Sequence, residues 1–455
     1  MVACLVVLVP LALAPAFARP QLGLLVALAP VLVFLAARSV AYPVALLGIP
    51  TLVIAFTNSD PFPNGSVSAA RFAWIALAIL LAVAARRVRL PVDAFLSLPV
   101  LSSVLLGLFM LMRLAGSPAS DYGSLKTKLF FLLNLTLLLA GVVIGQRRKS
   151  LNIYLVLALV VAGMSAAVLL YRLIRGDAQM LFDSRFSISS EVNPIQLGRE
   201  AADGLIIGVY VLLAARSTTL RFAALALLPA LGVALVGAGS RGPMLGLLVG
   251  LVVLLALTLQ ERAARVRLIS LAGVGVLIAL LTAELLPGGS ISRSLDFLTG
   301  SGSGLSSNGR STLWQEASTV ISNHPLAGIG TGGFQAVDTL NVYPHNLFLE
   351  IGSELGFVGL ALLLAFFATT AATFVRAWRS SVGDDRFRTA VVAALFAAAF
   401  VNAMFSGDIQ TNAGVWFTAG LGVGLTMRWG SRQTSEPEVP EPQHRTRAGL
   451  LSGLD

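Results

Sequence analysis

Apolar stretches of about 20 residues recur from one end of this 455-residue chain to the other. That feature constrains the fold more than any other. Crossing a hydrocarbon core of ~30 Å takes roughly 17–25 apolar residues in an α-helix. Inside that core every peptide group must be paired within the protein, so only helices and closed barrels can span it. Runs this long select helices. The spacing predicts spans near 2–18, 21–37, 40–56, 69–85, 94–114, 125–145, 151–174, 194–215, 219–237, 242–260, 266–286, 346–375, 389–404 and 412–427. The expected fold is therefore an all-α polytopic membrane protein with about 12–14 transmembrane helices. Composition agrees: 12% of residues are charged and 56% hydrophobic, against about a quarter charged in a soluble domain.

Cations in the short loops predict orientation. Arg38, Arg86, Arg87, Arg89, Arg147, Arg148, Lys149, Arg216, Arg221, Arg262, Arg265, Arg267, Arg376, Arg379, Arg386 and Arg388 fall on every second loop. This places both termini in the cytoplasm. The opposite loops are 57–68, 115–124, 176–193, 238–241, 287–345 and 405–411. The transmembrane domain is expected over 1–429, with the large external loop at 287–345. Within that loop the pattern predicts a short amphipathic helix over 311–323, capped by Ser311, and a glycine turn at Gly328, Gly330, Gly332 and Gly333. Residues 430–455 are polar and read as a disordered cytoplasmic tail.

Several function classes fall away. The net charge of +10 is spread through loops rather than gathered in a patch, so nucleic acid is not an expected partner. Cys4 is the single cysteine, which rules out an intramolecular disulfide or a cysteine metal cluster. His324, His345 and His444 have no carboxylate cluster at ligand spacing, so neither a metal nor a cofactor is expected. There is no P-loop, nor a GxGxxG following a strand.

The candidate chemistry lies on the outward loops. Arg185 (DSRF), Arg241 (GSRGP), Arg310 (NGRSTLW) and Lys126 (GSLKTKL) all fall at that face. Arg241 opens a helix beside Gly242 and Pro243. A helix start presents free N–H groups, and a guanidinium pairs two oxygens at once, so this turn suits an oxyanion or phosphate. His345 stands at the mouth of an apolar helix below the large loop, where an imidazole can take a proton near neutral pH. If the helix begins at 345, then His345, Leu349, Gly352, Gly356 and Gly359 form one stripe, open to a neighbouring helix or lipid chain. Glu350 and Glu354 then face the other way, near the interface. Glu350 is a candidate substrate contact. His324, before a proline, reads as a capping residue.

At these residues the sequence resembles the O-antigen ligase and O-antigen polymerase family of membrane glycosyltransferases. His345, Asn346, Gly356 and Gly359 satisfy its H-[N/S/Q]-x9-G-x-x-G pattern. NGRSTLWQEASTVISNHPLAGIGTGGF, GSRGP, DSRF and the Lys126 region resemble its other signatures. The resemblance implies a glycan donor on undecaprenyl pyrophosphate and metal-independent, inverting transfer at the outer face of the bacterial cytoplasmic membrane. It implies a glycan, lipid or protein acceptor amid membrane lipids. By the same resemblance Arg185 and Arg241 bind the pyrophosphate and His345 is the general base. Arg310, Lys126, Glu350 and Asn346 complete the substrate contacts. The competing readings are a lipid-linked glycan flippase or secondary transporter, whose sites should lie near the midplane, and a non-catalytic glycan binder.

Overall fold

The structure is a computed structural model that describes residues 38–45, 92–176, 178–181, 185–188, 192–258, 286, 310–338 and 343–433. Two short helical turns, Ala41–Ala45 and Val92–Phe95, precede the bundle. The helices are α1 (Leu98–Leu114), α2 (Ser120–Gly145), α3 (Arg148–Arg175), α4 (Pro194–Ala214), α5 (Thr218–Gly237), α6 (Arg241–Thr258), α7 (Arg310–Asn323), α8 (Leu347–Ser380), α9 (Asp384–Phe405) and α10 (Ala413–Gln433). A small antiparallel hairpin, β1 (Gln179–Leu181) and β2 (Arg185–Ser187), joins α3 to α4. α2, α3, α5, α6, α8 and α9 are long and apolar enough to cross a membrane. The chain is an all-α polytopic membrane protein.

Nine of the expected spans thus coincide with described helices. The spans near 2–18, 21–37, 69–85 and 266–286, nearly all of 40–56, residues 287–309 of the loop and most of the tail lie outside the described residues. α10 runs to Gln433, past the expected boundary at 430. The amphipathic helix begins at Arg310, so Ser311 lies in its first turn rather than capping it.

Short connections fold the helices back on one another, and the bundle acquires two unlike ends. One carries the 114–120, 238–240 and 406–412 connections, the β1–β2 hairpin and residues 324–338 and 343–346, and is called here the loop end. The other carries Arg147, Arg148, Arg216, Arg386 and Arg388. There, cations meet acids. Arg148 pairs with Asp385, Arg388 donates to the same carboxylate at 3.0 Å, and Arg216 reaches Asp384 at 3.2 Å. Small residues let the helices approach closely. α2 and α10 lock through Gly141, Gly145, Gly420 and Gly424; a Cβ at Gly420 would strike the Leu138 carbonyl oxygen.

Candidate active site

The loop end is built around a break in α8. Asn346 caps the helix: its Oδ1 accepts from the amides of Phe348 and Leu349 at 3.0 and 3.1 Å, while its Nδ2 donates to the Met404 carbonyl at 3.2 Å. Ten residues later Gly356 adopts φ 63°, ψ −160°, and the helical ladder is cut. The segment after α7, Pro325–Gly333, fills the cut. The amides of Ile329 and Gly330 donate to the carbonyls of Ser353 and Glu354 at 3.0 and 2.9 Å. The amides of Phe357 and Val358 donate to Pro325 and Leu326 at 2.7 and 3.3 Å. Every freed backbone group named here is thereby paired, as a buried break requires. A Cβ on Gly356 would meet the Leu326–Ala327 backbone.

The glycine turn expected at 328–333 is present, with φ of 63°, 102° and 76° at Gly328, Gly330 and Gly332. Arg113 of α1 pins it, donating to the Ala327 and Gly328 carbonyls at 3.0 and 3.1 Å. Two expectations change here. Gly356 receives the protein's own loop rather than a lipid chain or another helix, whereas Gly352 does admit a neighbouring helix, through Ile321 of α7. The single stripe from His345 to Gly359 does not form either. His345 precedes the cap with φ 57°, and the helix breaks before the stripe is complete. His324 follows α7 and its carbonyl accepts from the Gly328 amide at 3.0 Å.

The acids of α8 are not interfacial. Glu350 and Glu354 are buried and share Lys126, whose ammonium lies 2.8 Å from Glu350 Oε1 and 2.6 Å from Glu354 Oε1. Glu354 also accepts from the Gly332 amide at 2.8 Å, and Glu350 from the Ile409 amide at 3.2 Å. Three segments are thus tied to one ammonium: α2, the glycine turn and the 406–412 connection. Lys126 and Glu350, expected among the substrate contacts, are instead enclosed in this network. A fully desolvated Lys–Glu pair turns its charge inward because separating it would leave an uncompensated ion. Asn346 is likewise committed to the helix cap.

The remaining candidates converge. Trp314 of α7 donates its indole N–H to the Pro344 carbonyl at 3.1 Å, and Leu313, Ala317 and Phe334 form a small apolar cluster with Trp314 and Leu349. α7 is therefore fastened over the start of α8. Arg310 lies one turn before Trp314, on the same face. Arg310 feels two influences: burial first, then the charge of Arg241, both of which pull its guanidinium below the ordinary value. His345 in turn is pulled down to about 4, first by burial and then by Arg310, with Asp408 opposing. Like charges perturb one another only at close range in such a setting. Arg310, far from both in sequence, is thus within electrostatic reach of Arg241 on one side and of His345 on the other. His345 Nδ1 is buried without a hydrogen-bond partner, and its ring meets Tyr343 edge-on at 4.7 Å. Burial, then Asp408, push the Tyr343 phenol up to about 12, so it stays protonated. Arg185 opens β2, which packs on α4 and α5. It lies one helix before the Arg241 turn, and the charges acting on Arg310 and His345 do not include it.

Sequence reasoning missed Asp408. It is buried in the 406–412 connection, where its carboxylate accepts from Tyr122 Oη at 2.7 Å, Gln410 Nε2 at 2.7 Å and the Thr411 amide at 3.0 Å. A lone aspartate in a short polar connection carries no periodic signal. The half-buried Asp203 and Arg199 of α4 were missed too; charged residues four places apart inside an apolar run were the available clue.

These features define a polytopic helical membrane protein whose loop end combines a broken, loop-filled helix with an imidazole that feels the charge of a guanidinium. Residues 222–364 match the family model described as O-antigen ligase. That stretch contains Arg241, Arg310, His345 and the Gly356 break. That match supports a likeness of this region to the O-antigen ligase and polymerase family of membrane glycosyltransferases, enzymes of cell-surface polysaccharide assembly. No curated protein matches the chain in sequence.

Proposed function

We propose that the protein moves a glycan from undecaprenyl pyrophosphate to an acceptor hydroxyl at the outer face of the cytoplasmic membrane, by a metal-independent, inverting displacement. The observation that carries this reading is that the Arg241 charge acts on Arg310 and the Arg310 charge acts on His345. Two guanidinium groups held close together store repulsion that a diphosphate relieves. The acceptor oxygen forms a bond to the anomeric carbon on the face opposite the leaving group. As it does so, its proton passes to the His345 imidazole. The bond from that carbon to the diphosphate oxygen breaks, and the electron pair leaves on the diphosphate. Arg241 and Arg310 stabilise the charge that develops there. Arg185 is the further candidate for the donor head.

Donor binding also primes the base. In the free protein the Arg310 charge helps keep the imidazole neutral but weakly basic. A diphosphate on Arg310 cancels that charge and raises the basicity of His345 at the moment a proton must be taken. The decisive experiment is transfer from a lipid-linked repeat unit by the purified protein. His345→Ala abolishes transfer and leaves insertion and donor binding intact. Near-wild-type transfer by that variant overturns the assignment. A transporter would hold its charged groups near the midplane. The cluster at the loop end favours the transferase.

A further inference from the structure

A cavity of about 520 Å³ lies beside this site, enclosed by α2, α3, α4, the end of α9 and the start of α10. Its size falls in the range of roughly 300–1,000 Å³ common to ligand pockets. One wall is a stripe of α4: Asn193, Gln196, Arg199, Asp203 and Ile207. Their spacing carries the stripe down one helix face for about 21 Å. The upper part is polar, and the lower part, with Leu137, Tyr154 and Phe417, is apolar.

The polar groups of this lining are incompletely used by the protein. Arg199 donates Nη2 to the Ser406 carbonyl at 2.8 Å, yet its Nε has no partner. Gln410 donates Nε2 to Asp408, yet its Oε1 has none, and Asn402 Oδ1 has none either. The Asp203 carboxylate receives no hydrogen bond from a described residue, and its nearest compensation is the Arg199 charge. A buried donor and several buried acceptors left in one wall favour a ligand that both donates and accepts. A hydroxyl does both. A diphosphate only accepts, and it would face the carboxylates of Glu200 and Asp203.

We propose that this cavity is a second ligand site that takes the uncharged, hydroxyl-rich end of the acceptor, with its apolar portion in the lower half. Naming the occupant the acceptor rests on the transfer reading above; recognition of a neutral polyol rests on the cavity's own groups. Tyr343 supplies the connection. It lines the cavity and packs its ring against His345, so a hydroxyl passing Tyr343 arrives at the imidazole.

The test uses the full-length protein in nanodiscs and two photoactivatable probes, an alkyl β-glucoside and a prenyl diphosphate, each with a diazirine on its chain. The glucoside labels α3 and α4 peptides around Tyr154–Ala162 and Arg199–Ile207, and excess unlabelled glucoside suppresses that labelling. Asp203→Asn, which keeps shape but not charge, and Ala158→Phe, which fills the lower half, each reduce it about tenfold. Diphosphate labelling is unchanged by either. Labelling of these peptides by the diphosphate, or glucoside labelling that survives both substitutions, overturns the proposal. If a variant loses its native melting transition, competition on the unaltered protein decides: failure of unlabelled glucoside to compete counts against the site. The readout requires no turnover, so it can fail while the transfer reading stands, and the reverse.

Discussion

The two ends of the bundle hold their arginines differently, although Lys126 at the loop end is matched by two acids. At the end bearing Arg148, Arg216 and Arg388, each guanidinium named has an acid within reach, on Asp384 or Asp385. Arg216 and Asp384 are largely exposed, at 88% and 55%. At the loop end, Arg310 is perturbed by another arginine and His345 by Arg310. Charge matched by a neighbouring acid, whether exposed as at Asp384 or buried as at Asp385, anchors a helix end. Charge pressed against like charge and partly desolvated is costly in the free protein, and it becomes favourable when an anion arrives. On the proposed function, the contrast separates cations that set topology from cations that serve chemistry.

The same contrast can be broken experimentally. The largest effect is expected at the base. His345→Ala lowers kcat by about 10²–10⁴-fold, the usual contribution of general base catalysis, whereas Arg388→Ala at the opposite end leaves kcat within twofold. Single-turnover kinetics on the purified protein checks both. Next comes Arg241. Arg241→Ala raises the donor KM and lowers kcat together, and Arg241→Lys recovers part of the loss because an ammonium lacks the bidentate fork. Full recovery with lysine would reduce the site to simple charge. Third is Lys126. Lys126→Met strands two buried carboxylates and costs about 3–5 kcal/mol of stability, read as a lowered melting temperature in detergent. Arg216→Ala removes an exposed pair worth ~0–1 kcal/mol, so its melting curve stays close to wild type.

The finest test is pH. Transfer needs a neutral imidazole, so rates fall as pH drops through the His345 pKa. In kcat/KM for the donor, which reports the free enzyme, the acid limb lies near pH 4. In kcat it moves up toward the ordinary value of ~6.5, because bound diphosphate cancels the Arg310 charge. Coincident limbs in the two profiles would show that donor binding leaves the imidazole untouched.

Much of this molecule was readable in the chain, and what was readable follows from local chemistry. Apolar length fixed nine of the described helices to within a few residues, since hydrocarbon thickness sets helix length whatever the neighbours do. The Gly328–Gly333 turn was legible because positive φ demands glycine. His345 and Arg241 were legible as candidates because they are polar exceptions at span ends, and Arg310 because it stands in the large external loop. The roles of Lys126, Glu350 and Asn346 were not. Whether a lysine faces a substrate or two glutamates depends on residues more than 200 positions away, Glu350 and Glu354, which carry no mark in the local sequence.

The sequence by itself determined that this chain spans a membrane in helices, which connections carry cations, and where an imidazole meets a glycine-bearing helix. Only the tertiary structure decided that Gly356 breaks that helix to admit Pro325–Gly333, and that Lys126 closes on two buried acids. Asp408 and the α4 cavity came from it as well. The physical reason is range. Hydrophobic length and backbone strain act within one segment, whereas Coulombic pairing and cavity shape depend on which distant segments the packing brings within a few ångströms.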